Sequence, residues 1–143
     1  MSMFTDKEEL KILQKFAAIG RSFKNTDLEH LDAPMSAYNY IRIANIIGCH
    51  FNKIPATAKT FLDWGAGYGQ LTWLLKNRGV NAVGYNIEER RHISEIPELN
   101  QLKMVCGKDP VNLPFKNESF LGISSCGVLE HVENPMSSLK EIC

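Results

Sequence analysis

Apolar residues first recur along this chain at a helical spacing. Leu10, Leu13, Phe16 and Ala17 fall three or four positions apart behind Thr5 or Asp6, either of which can cap a helix, with Glu8 or Glu9 three positions further on. The spacing predicts a helix over residues 5–20 that stops at Gly20. Residues 21–33 are polar and irregular. A second helix is predicted from Pro34, a residue suited to a first helical turn, with Tyr40, Ile43, Ala44 and Ile47 on its apolar face and Gly48 near its end. Residues 52–59, which contain Pro55, read as a linker.

Beyond residue 59 the pattern changes to short apolar runs separated by helical stretches. Residues 60–63, 80–85, 102–106 and 120–126 read as buried strands. Helices are predicted over residues 70–77, with Leu71, Leu74 and Leu75 on one face and Gly79 as a stop, over 88–95, ended by Pro97, and from Pro135 onward. Strands that alternate with helices in this way indicate a parallel sheet covered on both faces, hence an α/β fold. The expected organisation is a helical cap over residues 1–55 and an α/β unit over residues 56–143, together forming one structural body.

Composition narrows the possible partners. The 16 basic and 16 acidic residues cancel, and Lys and Arg are scattered, which argues against a large nucleic-acid footprint. The one dense run, Glu88-Glu89-Arg90-Arg91, is mixed in sign and reads as a solvated helix start, acids being preferred at helix N-termini. No apolar window is long enough to span a membrane, and the first residues lack the order of a signal peptide. Cys49, Cys106, Cys126 and Cys143 share no metal-type spacing and read as buried, reduced thiols of a cytoplasmic protein.

The candidate chemistry lies between the first strand and the helix after it, at Asp63-Trp64-Gly65-Ala66-Gly67-Tyr68-Gly69. Glycine tolerates backbone angles that side chains forbid and lets a ligand approach the main chain. In open α/β sheets ligands bind at the carboxyl ends of the strands. A dinucleotide fingerprint requires a third glycine three residues after the second, and that position is Gln70 here, so this reading fails.

The spacing found, an aspartate two residues before G-x-G-x-G, resembles the first motif of class I S-adenosylmethionine (SAM)-dependent methyltransferases. Leu113-Pro114-Phe115 and Leu129-Glu130-His131 extend the likeness to the small-molecule methyltransferases of that family, over residues 61–143. The resemblance implies a Rossmann-like sheet in the order 3-2-1-4, with strands five to seven of the family fold absent from this sequence. It implies SAM as cofactor and a small molecule as methyl acceptor. Asp63, Gly65, Ala66, Gly67, Tyr68 and Gly69 would hold its methionine part, a carboxylate being suited to an ammonium and a sulfonium. By the same likeness Asn86, with Ile87 beside it, stands where the family has an acid that binds the ribose, and Glu88 is an alternative there. Asp109 would accept from the adenine amino group or else cap a turn before Pro110. Pro110 follows in the adenine position without an N–H to donate. Cys126 belongs to the wall of the methyl-transfer pocket. His131 is a candidate general base or a local packing residue. Trp64, Tyr68 and Trp73 either wall the cofactor or pack. An E-x-x-E-H metal pattern known among relatives has Gly127 in its first position here, so no metal is expected. The fourth strand would be an open edge through which two copies could pair as a homodimer. A second reading makes the chain a catalytically silent SAM-fold module that works through self-association or a partner.

Overall fold

The computed structural model describes residues 4–23, 28–55, 60–90 and 92–143. Strands β1 (Thr60–Trp64), β2 (Asn81–Asn86), β3 (Met104–Cys106) and β4 (Gly122–Ser125) form one parallel sheet in the order β3-β2-β1-β4. Helices α1 (Asp6–Ser22) and α2 (Pro34–Phe51) precede the sheet, α3 (Gln70–Asn77) joins β1 to β2, the single turn α4 (Pro97–Asn100) leads into β3, and α5 (Pro135–Ile142) follows β4. The Rossmann-like α/β arrangement expected from the sequence is the one the chain adopts.

Alternation along the central strand sorts the core into two faces. Phe61 packs with Leu13, Phe16, Ile41 and Leu74 under the first three helices. Leu62 and Trp64 turn the other way and meet Tyr85, Phe115, Phe120 and Ile142. Asp63 shares the side of Phe61 and so faces α3. Register places it between Gly84 of β2 and Ser124 of β4. Strand β4 is the outer strand on its side of the sheet, and Leu121 just before it is 56% exposed.

The α1 start follows the capping-box rule with Thr5 and Glu8. Thr5 Oγ1 accepts from the Glu8 N–H at 3.3 Å, and the Glu8 carboxylate accepts from the Thr5 N–H at 2.7 Å. Glu9 has a different task. It is fully buried, and its two oxygens accept from the two Nη groups of Arg78 at 2.8 and 2.7 Å. Arg78 also donates through Nε to Asn45 Oδ1 at 2.9 Å and through Nη1 to the Leu74 carbonyl at 2.8 Å. One guanidinium thus ties α1, α2 and α3 together.

Several expected boundaries move, for identifiable reasons. The second helix, by contrast, keeps its expected end, at Phe51 three residues after Gly48; a Cβ on Gly48 would lie 2.9 Å from Arg78 Cδ, so this glycine makes room for the arginine stem. The buried stripe of α2 is Ala37, Ile41, Ala44, Gly48 and Phe51, with Tyr40, Ile43 and Ile47 half-buried beside it. Among the described residues of 88–95 there is no α-helix. A short 3-10 turn occupies Ile93–Glu95 after His92 at φ 62°, and Pro97 opens α4 rather than closing a helix. That stretch has no apolar stripe to bury, so nothing drives a longer helix. The irregular segment before α2 contains a 3-10 turn, Glu29–Asp32, that buries Leu31 in the core beside Leu28. Residues 24–27, the end of the expected linker at 56–59, and Arg91 lie outside the described residues.

Candidate cofactor site

Beyond β1 the chain turns through Gly65, Gly67 and Gly69 into α3. The N–H groups of Gly65 and Ala66 both donate to the Tyr85 carbonyl, at 2.8 and 3.1 Å. The Gly67 N–H donates to Asn86 Oδ1 at 2.9 Å, and the Gly69 N–H donates to the Ala66 carbonyl at 2.8 Å. The loop is therefore fastened to the end of β2, and four of its N–H groups are spent inside the protein.

Gly65 has φ +74°, and a Cβ on it would stand 2.1 Å from Val128 Cγ2. Gly67 has φ +59°, and a Cβ there would meet nothing nearer than Gln70 Oε1 at 3.9 Å. Gly69 packs against Leu102. The sequence reading treats all three glycines as one bare surface for a ligand. Only Gly67 leaves its own space open; the other two make room for the protein's side chains.

Asp63 is 2% exposed. Its Oδ2 accepts from Thr72 Oγ1 at 2.8 Å and its Oδ1 from Ser124 Oγ at 2.9 Å. Burial pushes its carboxyl above the ordinary carboxylate range, against the opposing pull of these hydroxyl bonds. A cation placed nearby would favour the ionised form.

Two cavities open over this end of the sheet. The larger, about 590 Å³, is bordered by Asp63, Gly67, Gln70, Cys126 and, from the helical cap, His30 and Tyr40. The smaller, about 170 Å³, lies between Ile87, Pro110, Val128 and Val132, with Asn86 and Trp64 at its wall. Gly65, Arg90, Gly127 and His131 border both, so the two form one cleft in two parts. Its position, at the carboxyl ends of β1, β2 and β4, is where open α/β sheets take ligands.

The family described as methyltransferase domain matches residues 62–143, more than half of the chain. The chain belongs to that family. It is 30% identical over 144 aligned residues to a ubiquinone biosynthesis O-methyltransferase, mitochondrial, of Arabidopsis thaliana, a match that covers 91% of this chain and 44% of the relative. The chain thus spans less than half the length of that relative. No solved structure matches it significantly.

Within this methyltransferase domain, the residues expected in the site divide into two groups. Asp63, Gly65, Ala66, Gly67, Cys126 and His131 border the larger cavity, and Asn86, Ile87 and Pro110 border the smaller. Tyr68 is instead buried in the core beneath the helices, and Gly69 is the N-cap of α3. The Asp109 carboxylate accepts from the Val111 N–H at 2.7 Å and from the Asn112 side chain, which holds it below the usual carboxylate range. It thus closes a turn across Pro110, while its backbone carbonyl accepts from the Tyr85 hydroxyl at 2.6 Å. Glu88 is exposed and borders neither part of the cleft. Trp73 packs edge-on against Phe16, with centroids 5.5 Å apart, as a core residue. Trp64 belongs to the opposite core cluster, so the three aromatics are not one group.

Sequence reasoning missed His30, Arg90 and Val128, and it read Tyr40 only as part of an apolar helix face. His30 and Tyr40 rings lie 5.7 Å apart at the mouth of the larger cavity. Burial raises the pKa of the Tyr40 hydroxyl. Both residues come from the cap, more than 20 positions before the loop they face, and no local pattern marks them.

Proposed function

We propose that this domain binds SAM in the two-part cleft and directs its methyl group to a small-molecule acceptor. The observation that carries the reading is the spent N–H groups of the glycine loop beside a buried carboxylate. A pyrophosphate needs free N–H donors at such a turn. Here Gly65, Ala66, Gly67 and Gly69 donate to the protein itself, and the larger cavity beside them is bordered by the carboxyl groups of Asp63 and Glu130, with Arg90 where its two parts meet. That combination suits a ligand with positive charge and no phosphate. A dinucleotide such as NADH is disfavoured on the same grounds, and by Gln70 in place of the third glycine.

The adenosyl part fits the apolar walls of the smaller cavity, Ile87, Pro110, Val128 and Val132. The amino-acid part fits the larger cavity between Asp63 and Gly67. When bound, SAM supplies an electrophilic methyl group; the chain's own contribution is to hold the acceptor in line and exclude water. His131 borders both parts of the cleft, which supports it as the group that takes a proton from an acceptor hydroxyl. An oxygen acceptor is supported by the relative's activity as an O-methyltransferase. A cytoplasmic setting remains the reading of the unpatterned cysteines, although Cys49, Cys106 and Cys143 are exposed and Cys126 half-buried rather than buried as expected; no helix among the described residues is long and apolar enough to cross a membrane. The silent-module alternative gains no support from the family or from the relative.

Calorimetric titration tests the reading. SAM and its demethylated product should bind with similar stoichiometry, and NADH should not bind. Binding of NADH in place of SAM would overturn it.

A further inference from the structure

Asn86 ends β2 and is 8% exposed. Its Oδ1 accepts from the Gly67 N–H at 2.9 Å, and its Nδ2 donates to the Gly67 carbonyl at 2.8 Å. The backbone dictates which way the amide points, since an N–H can only donate and a carbonyl can only accept. Both polar ends of one side chain are thus matched to both polar groups of one residue. Gly67 is the loop position whose own space opens on the larger cavity, and it is held at φ +59°.

We infer that Asn86 is the positioning residue of the glycine loop: its carboxamide clips Gly67 in place, and a carboxylate could not do the same. A carboxylate of the same shape accepts from the Gly67 N–H but has no hydrogen for the Gly67 carbonyl. It would set two acceptors against each other at about hydrogen-bond distance. The inference rests on the proposed SAM site for its affinity arm only; the clip itself needs no ligand.

Two roles for Asn86 predict opposite signs for Asn86→Asp. As a simple acceptor for ribose hydroxyls, the residue would bind more strongly with a charge, and SAM affinity would rise. As the clip, the same change removes one bond and adds a repulsion, and SAM affinity should fall roughly tenfold or more. Amide hydrogen exchange without cofactor gives the second arm. In the wild type the Gly67 N–H should exchange slowly. In Asn86→Ala it should lose that protection, while Leu74 and Leu75 in α3 keep theirs. Equal or tighter SAM binding by Asn86→Asp overturns the inference, as does an unprotected Gly67 N–H in the wild type. If the aspartate variant does not fold, the exchange comparison decides alone. If Gly67 is protected through Asn86 but the wild type binds no SAM, the clip stands and the proposed cofactor fails.

Discussion

Replacing Glu9 by Gln tests the tie between the N-terminal helices and the sheet. The variant keeps the shape of the side chain and removes its charge. Arg78 is 4% exposed on its side chain, so the guanidinium would remain buried, keeping the Asn45 and Leu74 oxygens and one Gln oxygen as acceptors but losing the counter-charge at position 9. Both short bonds, at 2.8 and 2.7 Å, are charge-assisted, and one of them must become a contact with an amide N–H₂. Breaking one side of a buried ion pair costs about 3–5 kcal/mol, because the remaining charge is neither solvated nor neutralised. Against a typical total of about 5–15 kcal/mol, that is a large fraction of the fold's stability. At roughly 3–4 °C per kcal/mol for a chain of this size, Tm should fall by about 9–20 °C. Urea unfolding followed by far-ultraviolet circular dichroism measures the loss. The double variant Glu9→Leu with Arg78→Met should recover most of it, since no charge is then left buried. A Glu9→Gln protein within about 1 kcal/mol of wild type would refute the reasoning, as would a double variant no better than the single.

Gly65→Ala should lose about 2–5 kcal/mol in urea unfolding, from about 1–2 for its left-handed backbone and about 1–3 for the clash with Val128; in a Val128→Ala background only the first part should remain, and an unchanged loss contradicts the packing account. Asp63 has a folded pKa raised by burial, so its contribution to stability is full below the unfolded pKa and is lost as pH rises through the folded value. The stability of wild type relative to Asp63→Asn should therefore decline with rising pH and be restored by SAM, whose positive charge favours the carboxylate; a flat or rising difference contradicts this. Pairing of two copies along the β4 edge predicts that Leu121→Lys converts a dimer to a monomer in sedimentation, and a wild type that is monomeric at every concentration contradicts the pairing.

The sheet and the loop were legible because each rests on a local pattern. Short apolar runs ending at Asp63 and Asn86, with helical spacing between them, leave few arrangements other than a parallel βαβ unit. What escaped depends on partners far away in the chain. Glu9 and Glu8 are interchangeable as capping candidates until Arg78, 69 positions on, is seen to take Glu9. Gly48 reads only as a residue near the end of its helix, because the neighbour it makes room for, again Arg78, is invisible locally. The three loop glycines read alike for the same reason: Val128 and Leu102, which occupy the space of two of them, lie on other elements. Asn86 is expected from the sequence as a ribose-binding position; it borders the smaller cavity, and its engagement with Gly67 depends on the loop's exact fold. The helix expected over residues 88–95 came from charge and capping preferences without an apolar face, and such signals do not suffice for a stable helix.

The central claim is that a cationic, phosphate-free cofactor rests between the Asp63 carboxylate and the open face of Gly67. A crystal of the chain grown with S-adenosylhomocysteine tests it directly. The account predicts density for the amino-acid part beside Asp63 and Gly67, with the adenine between Ile87 and Val132. Density for the compound elsewhere, with the cleft closed by the protein's own side chains, would contradict it.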